Sequence, residues 1–278
     1  MLDCRLDETL RMGGLSTAMT IRGAFVCKGP LSIFLDVDGT LLEIARTPDA
    51  VRVPAALRNT LQLAMQHESG ALALISGRRI EELDRLFQPY KFPAAGQHGV
   101  ERRDAHGIVH TPDIDPNLLG PARQELAHLQ ARHAGLLLED KGGGLAMHYR
   151  LAPGYAEVVL ETMSRMAESL DGRYTLRTGK CVVELSLAGF SKRTAIEAFM
   201  GHAPFLGRTP VFIGDDETDE DGFEAVNGMG GVSIRVGMNP SSSAQYRFSS
   251  VKSVIGWLRE RNVSLPSPKF VRRRGRPG

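Results

Sequence analysis

Two acidic clusters in this chain stand where carboxylates can do chemistry. The first is DVDGT, residues 36–40, directly after an apolar run that includes Leu31, Ile33, Phe34 and Leu35. The second is GDDETDED, residues 214–221, directly after the apolar stretch 210–213. An apolar run of this length that stops at a polar turn reads as a short buried strand. In an open parallel sheet, ligands collect in the crevice beyond the carboxyl ends of the strands, so Asp36 and Asp38 would stand at its mouth. Two carboxylates this close repel when both are ionised, and a divalent cation relieves the repulsion. Mg²⁺ is the hard, oxygen-seeking choice beside a phosphate. Gly39 permits a tight turn and a close ligand approach, while Thr40 offers an anion its hydroxyl and its backbone N–H. An acidic turn capping the next element explains the first cluster equally well by itself. A solvated acidic loop is the bland account of the second. It loses ground because Asp215, Asp216, Glu217, Asp219, Glu220 and Asp221 crowd together after a strand of what reads as the same sheet, which is costly unless a cation is held.

The elements that must position these clusters come in a regular alternation. Residues 31–35 read as a strand, 48–54 as a loop, 55–66 as a helix through Leu57, Leu61, Ala64 and Met65, and 71–75 as a second buried strand ending in Ser76, Gly77 and Arg78. A helix over 81–87 and a short strand over 92–95 follow, the latter ending in Gly96, Gln97, His98 and Gly99. Ser76 can donate its hydroxyl, and the N–H groups after it can hold a phosphate oxygen, although an ordinary N-cap serine has the same appearance. The two glycines around Gln97 and His98 mark either a bend beside a ligand or a plain tight turn. From Asp104 the texture changes to strands at 108–111, 136–140, 145–151, 174–177 and 181–187, with helices over 117–133 and 153–170. Alternation then resumes with a helix from Lys192 to 199 capped by Ser191, strands at 210–213 and 232–236, and a helix over 251–261. The reading is an α/β protein: a parallel-sheet core of residues 29–103 and 187–265, and an inserted α+β domain of residues 104–186. Residues 1–28 form an N-terminal extension and 266–278 a basic, Pro/Gly-rich tail.

Lys192 opens its helix, where a cation opposes the helix dipole, which suggests that it serves a partner charge. Lys141, His148, Arg150, Lys180 and Glu184 lie on or beside the strands of the inserted segment. Each alone reads as a solvated side chain, and together they suggest a polar face for a hydroxyl-rich, anionic ligand.

Composition narrows the class. The 278 residues are 42% hydrophobic with a formal net charge of +2, enough for a sizeable core and without a global pull toward nucleic acid. The tail holds the chain's one basic stretch, which argues against a nucleic-acid binder. Three scattered cysteines without C-x-x-C spacing argue against a disulfide framework or zinc site and for a reducing, cytoplasmic setting. The apolar runs are too short to cross a bilayer, and the first thirty residues lack the apolar core of a secretory signal.

The ordered set DVDGT (36–40), SGR (76–78), Lys192 and GDDETD (214–219) resembles the haloacid-dehalogenase-like phosphohydrolases. Four longer pieces narrow the resemblance to the trehalose-6-phosphate phosphatase family: AGQHGVE (95–101), HYR (148–150), GKCVVE (179–184) and GDDETDEDGF (214–223). The match spans about residues 31–258. That family commonly has Tyr where Val37 stands, Gly where Arg193 follows the lysine, and Ala where Gly222 stands. The resemblance implies a Rossmann-like core with a cap domain, and hydrolysis of trehalose 6-phosphate with Mg²⁺ as cofactor. Asp36 would be the nucleophile and Asp38 the acid, then base. Thr40, Ser76 and Lys192 would cradle the phosphoryl oxygens. Mg²⁺ would be held by Asp36, Asp38 (through its carbonyl) and Asp215, with Asp219 and Asp216 in an outer position. Gly77, Arg78, His98, Lys141, His148, Arg150, Lys180 and Glu184 would bind the sugar phosphate. A trehalose-phosphate synthase is the pathway partner this implies. Rival readings are a phosphatase for sucrose phosphate or for a mannosyl- or glucosyl-glycerol type phosphate, and a non-catalytic sugar-phosphate sensor.

Overall fold

A computed structural model describes residues 19–20, 29–45, 51–115, 117–238 and 241–263. In chain order the elements are β1 (Met19–Thr20), β2 (Leu31–Leu35), α1 (Ala55–His67), β3 (Leu72–Ile75), α2 (Ile80–Phe87), β4 (Ala94–Gly96), β5 (Glu101–Arg103), β6 (Val109–His110), α3 (Gly120–Arg132), β7 (Leu137–Asp140) and β8 (Leu145–His148). They continue as α4 (Ala156–Ser169), β9 (Tyr174–Gly179), β10 (Val182–Leu187), α5 (Lys192–Met200), β11 (Thr209–Gly214), α6 (Glu220–Gly228), β12 (Val232–Val236), β13 (Tyr246–Phe248) and α7 (Val251–Val263). The large sheet has the order β1-β13-β12-β11-β2-β3-β4-β5-β6, parallel from β1 to β4 and antiparallel at its last two pairings. A second, antiparallel sheet runs β7-β8-β10-β9. The mixed α/β architecture expected from the alternation is therefore present.

β2 is buried along its whole length because helices cover both faces of the sheet. Successive side chains of a strand point to opposite faces. Leu31, Ile33 and Leu35 accordingly join Leu57 and Leu61 of α1, Phe87 of α2 and Trp257 of α7. Phe34 faces the other way, among Phe199 of α5, Phe212 of β11 and Phe223 of α6. The fully buried side chains contribute about 1.5–3 kcal/mol apiece. The register is what matters for chemistry. Leu35 pairs with Ile213 on one side and with Leu74 on the other, so β11, β2 and β3 end side by side. The backbone N–H of Asp36 donates to the Ile213 carbonyl at 2.9 Å, and that of Ser76 to Ala95 at 2.8 Å.

Gly222 has a local cause. A Cβ there would lie 2.5 Å from Cε1 and 2.9 Å from Cδ1 of Phe212. Alanine would favour the helix by about 1 kcal/mol, but forcing a methyl into a packed core costs about 1–3 kcal/mol. Gly222→Ala should therefore lower the urea midpoint in the native background and raise it in a Phe212→Leu background. Equal shifts in both backgrounds would remove Phe212 as the reason.

The structure departs from the sequence reading in four places. The strand expected at 108–111 is Val109–His110, and it pairs with β5 in the large sheet rather than with the strands of the inserted segment. Asp104 makes that hairpin, accepting from the N–H groups of His106 and Ile108 at 2.9 and 3.0 Å. Neither β5 nor β13 was expected, since both are three residues long and carry arginine. The acidic stretch runs on into α6, whose first turn holds Glu220 and Asp221, where the helix dipole favours negative charge. Within the extension, Met19–Thr20 pairs with β13. Its other residues through 28 lie outside the described residues, as do the tail 266–278 and part of the loop 48–54. No helix among the described residues is long and apolar enough to cross a membrane.

Candidate active site

Three buried carboxylates meet where β2 and β11 end. Asp36 follows β2, Asp215 follows β11, and Asp219 closes the 3-10 turn Glu217–Asp219. Each offers an oxygen within 4.8 Å of the others. Asp219 is fixed by the backbone, its Oδ2 accepting from the N–H groups of Asp215 and Asp216, both at 2.9 Å. Two glycines admit these side chains. A Cβ on Gly214 would sit 2.3 Å from the Asp219 carboxyl carbon, and one on Gly39, at φ +92°, would sit 2.1 Å from Asp215 Oδ2. Lys192, the first residue of α5, places its ammonium 2.8 Å from Asp36 Oδ1 and 2.5 Å from Asp219 Oδ1. Ser191 caps that helix as expected, accepting from Thr194 N–H.

Burial pushes the Asp36 pKa well above its ordinary value; Lys192 pulls it down, and Asp219 and Asp215 push it up again. Burial likewise raises Asp215, with Asp219 adding to it and Lys180 working against it. Burial works against the Lys192 charge, but Asp219 and Asp36 outweigh it and hold its pKa above the ordinary range. Three carboxylates set against the ammonium groups of Lys192 and Lys180 leave a net negative charge that a small divalent cation would balance.

The other residues picked out in the sequence surround this triad. Asp38 does not join the triad. Arg78 grips its carboxylate with a two-pronged fork, Nε to Oδ2 at 2.6 Å and Nη2 to Oδ1 at 2.8 Å. Asp216 caps the 3-10 turn, accepting from Glu217 N–H at 2.7 Å. Thr40 directs its hydroxyl to Asp215 Oδ1 at 3.4 Å, and Ser76 Oγ accepts from Arg78 N–H at 3.2 Å.

The second sheet supplies the facing wall. Lys141 donates to Glu184 Oε2 at 2.6 Å and to the Gly77 carbonyl at 2.8 Å, tying β10 to the end of β3. His98 Nε2 lies 3.6 Å from the same Glu184 oxygen, and its Nδ1 has no hydrogen-bond partner among the described residues. Burial would raise the Glu184 pKa, yet Lys141 and then His98 more than offset it and bring it to about 2, while burial lowers His98. Glu184 therefore stays ionised, and what its charge adds to stability is present above the ordinary 4.5 and lost only as the pH falls toward 2. Lys180, between β9 and β10, forms an ion pair with Asp215, and Arg150 donates to the Lys180 carbonyl at 2.6 Å. His148 and Glu139 pair at 2.7 Å.

Between the walls lies a cavity of about 200 Å³. Asp36, Asp38, Ser76, Gly77, Arg78, His98, Lys192 and Asp216 line one side. Lys141, His148, Arg150, Lys180 and Glu184 line the other, and Ile44, Leu137 and Leu151 add apolar wall. Thr40, Asp215 and Asp219 stand behind the lining. Glu139 also faces the cavity and was not foreseen. The signal was available, because residues two apart on a strand share a face and Glu139 is two before Lys141. Gln97, named with His98 in the bend after β4, is not among the lining residues. Gln97 and His98 take left-handed backbone angles, φ 48° and 55°, at a cost of order 1–3 kcal/mol each. Gln97 is held there through Glu101, which accepts from Gln97 Nε2 at 2.6 Å and from Ile80 N–H at 2.8 Å.

Comparison with known proteins gives consistent results. The profile of the family described as trehalose-phosphatase matches residues 34–253. The chain is 46% identical over 228 residues to trehalose-6-phosphate phosphatase of Escherichia coli (strain K12), covering 81% of this chain and 84% of that protein. It is 44% identical over 231 residues to the probable trehalose-phosphate phosphatase of Sinorhizobium fredii (strain NBRC 101917 / NGR234), covering 81% and 85%. Among solved structures, the C-terminal domain of the C. albicans trehalose-6-phosphate phosphatase superposes with a TM-score of 0.75 at 18% identity, covering 84% of this chain and 92% of that one. A haloacid dehalogenase-like hydrolase from Bacteroides thetaiotaomicron gives 0.59 at 18% identity, covering 84% and 99%.

Proposed function

The chain belongs to the trehalose-phosphatase family of phosphoric monoester hydrolases, and from that membership we propose that it hydrolyses trehalose 6-phosphate to trehalose and inorganic phosphate. One observation carries the reading: a buried carboxylate, Asp36, faces a cavity with Lys192 at its back and a wall of hydrogen-bonding side chains opposite.

In this reading Asp36 attacks phosphorus, the bond to the sugar oxygen breaks, and the leaving oxygen takes a proton from Asp38. Water then attacks the aspartyl phosphate, giving its proton to Asp38 and returning Asp36 as a carboxylate. Asp38 must be released from Arg78 to do this, and a phosphate dianion entering beside Arg78 competes for the same fork. Ser76 and Lys192 hold phosphoryl oxygens, and Thr40 steadies Asp215. Asp36, Asp215 and the Asp38 carbonyl would hold Mg²⁺, with Asp219 and Asp216 outside them, and the ion would neutralise charge on the nucleophile and on the phosphoryl oxygens. Chelation with EDTA should reduce phosphate release to background, and excess Mg²⁺ should restore it. Activity that survives exhaustive chelation would remove the metal from the reading.

The second sheet acts as a cap that excludes water and reads the sugar. Glu184→Ala should lower kcat/KM for trehalose 6-phosphate by about a hundredfold more than for a small aryl phosphate, since a site built to bond hydroxyls discriminates through them. Equal losses on both substrates would end the sugar-reading role. Phosphate release from trehalose 6-phosphate, sucrose phosphate and glucosylglycerol phosphate tests the substrate, and better use of either rival would displace it. The enzyme would work in the cytoplasm, after a synthase that makes the sugar phosphate.

A further inference from the structure

A second cavity, outside the catalytic one, is lined by Arg52, Arg58, Arg78 and Arg85, with Glu82 as its only carboxylate among the lining residues. We propose that it is an anion site for a phosphate group, and that its occupant acts on the catalytic centre through Arg78.

Arg78 is answered by Asp38, and Arg52 has partners of its own, so the repulsion an anion would relieve in this concavity is that between Arg58 and Arg85 and their cationic neighbours. Glu82 caps the helix, accepting from Arg79 N–H at 2.9 Å, and its one charge leaves the lining cationic. The guanidinium groups of Arg58 on α1 and Arg85 on α2 make no hydrogen bond or ion pair with any described residue. They are open donors on two helices, and a planar fork of N–H groups suits a phosphate better than a monovalent halide. Val53 and Leu86 close the cavity with apolar surface. Arg78 is the link, because it lines both cavities and is the residue that grips Asp38. A phosphate held by Arg58 and Arg85 would draw on the Arg78 fork from behind. It would thereby change how Arg78 divides itself between Asp38 and the substrate.

The ligand class is a phosphate dianion, supplied either by the product or by a second molecule of sugar phosphate. The kinetic form rests on the phosphatase reading. Inorganic phosphate leaving last competes with substrate for the free enzyme and changes only the slope of a double-reciprocal plot. A phosphate bound beside the occupied active site also changes the intercept.

We expect mixed inhibition of the native enzyme by inorganic phosphate. In Arg58→Gln/Arg85→Gln the intercept inhibition constant should rise at least about tenfold, on the scale of one lost charge-assisted hydrogen bond. The slope constant and the uninhibited kcat should stay within about twofold. Purely competitive inhibition of the native enzyme, or an unchanged intercept constant in the double variant, overturns the proposal.

A calorimetric titration of Asp36→Asn protein with inorganic phosphate needs no turnover. It should show two sites, reduced to one when the two arginines are also replaced, and a single site in both proteins overturns the proposal. Two sites in this titration, beside a native protein that releases no phosphate from any sugar phosphate, would sustain the anion site while the phosphatase reading falls. A non-hydrolysable sugar phosphonate in the same titration separates the sources. Its binding at the arginine site identifies a second substrate molecule as a ligand, and its exclusion identifies the product.

Discussion

Asp36→Asn is expected to lower kcat on the order of 10⁴-fold, the scale on which single members of catalytic sets act, and to leave the protein folded. The amide keeps the shape of the side chain and its acceptor oxygen but is no longer a nucleophile for phosphorus. The stability side has a sign. Burial holds the Asp36 pKa well above 3.8, so folding disfavours the carboxylate relative to the unfolded chain. A neutral isostere removes that cost. It also leaves Lys192 with Asp219 as its remaining carboxylate partner. Thermal unfolding in EDTA should show a midpoint no lower than that of the native protein. Phosphate release within tenfold of native would place the nucleophile elsewhere, and a collapsed midpoint would mean that Asp36 is chiefly structural.

How much of this was legible in the sequence differs from residue to residue. DVDGT and GDDETD could be read because a strand buried on both faces is a continuous apolar run, and each run stops at an acid. That their strands are neighbours could not be read, since the residues that pair, such as Leu35 and Ile213, stand far apart in the chain. Lys192 was legible as a cation placed against its helix dipole. Arg78 was legible as a ligand-facing side chain, but its fork on Asp38, 40 residues away, was not.

Arg235 shows the limit most clearly. In the strand sequence VSIRV it looks like one solvated charge in an apolar run. In the fold it is 4% exposed, pairs with Glu220 and donates to the Asp215 carbonyl at 2.9 Å. It thus braces the loop that carries a triad carboxylate, and only the adjacency of β11 and β12 reveals it. The sheet to which β6 belongs was hidden for a similar reason. A hairpin signal states that two strands pair, not which sheet they extend.

The second large effect is expected at Lys192, which is 2% exposed and bonded to two carboxylates. Lys192→Met fills similar space with a neutral side chain and leaves Asp36 and Asp219 facing each other without their ammonium. Removing one partner of a buried ionic set costs about 3–5 kcal/mol, more than any surface pair in the molecule contributes. The pH dependence separates this cause from lost packing. The Lys192 pKa is raised above 10.5, so its contribution is whole below that value and fades only as the pH climbs through the raised one. In the variant the cost lies in ionised carboxylates. Asp36, already held above 3.8, would rise further, so the deficit should be larger at neutral pH and shrink as the pH falls toward 4 and the carboxyl takes up a proton. Urea midpoints of the native protein and the variant, compared in EDTA at pH 7 and pH 4, test this directly. A smaller gap at pH 4 means that the buried charges govern the site, whereas an equal gap at both would make Lys192 a packing residue and leave the triad to be stabilised by something else.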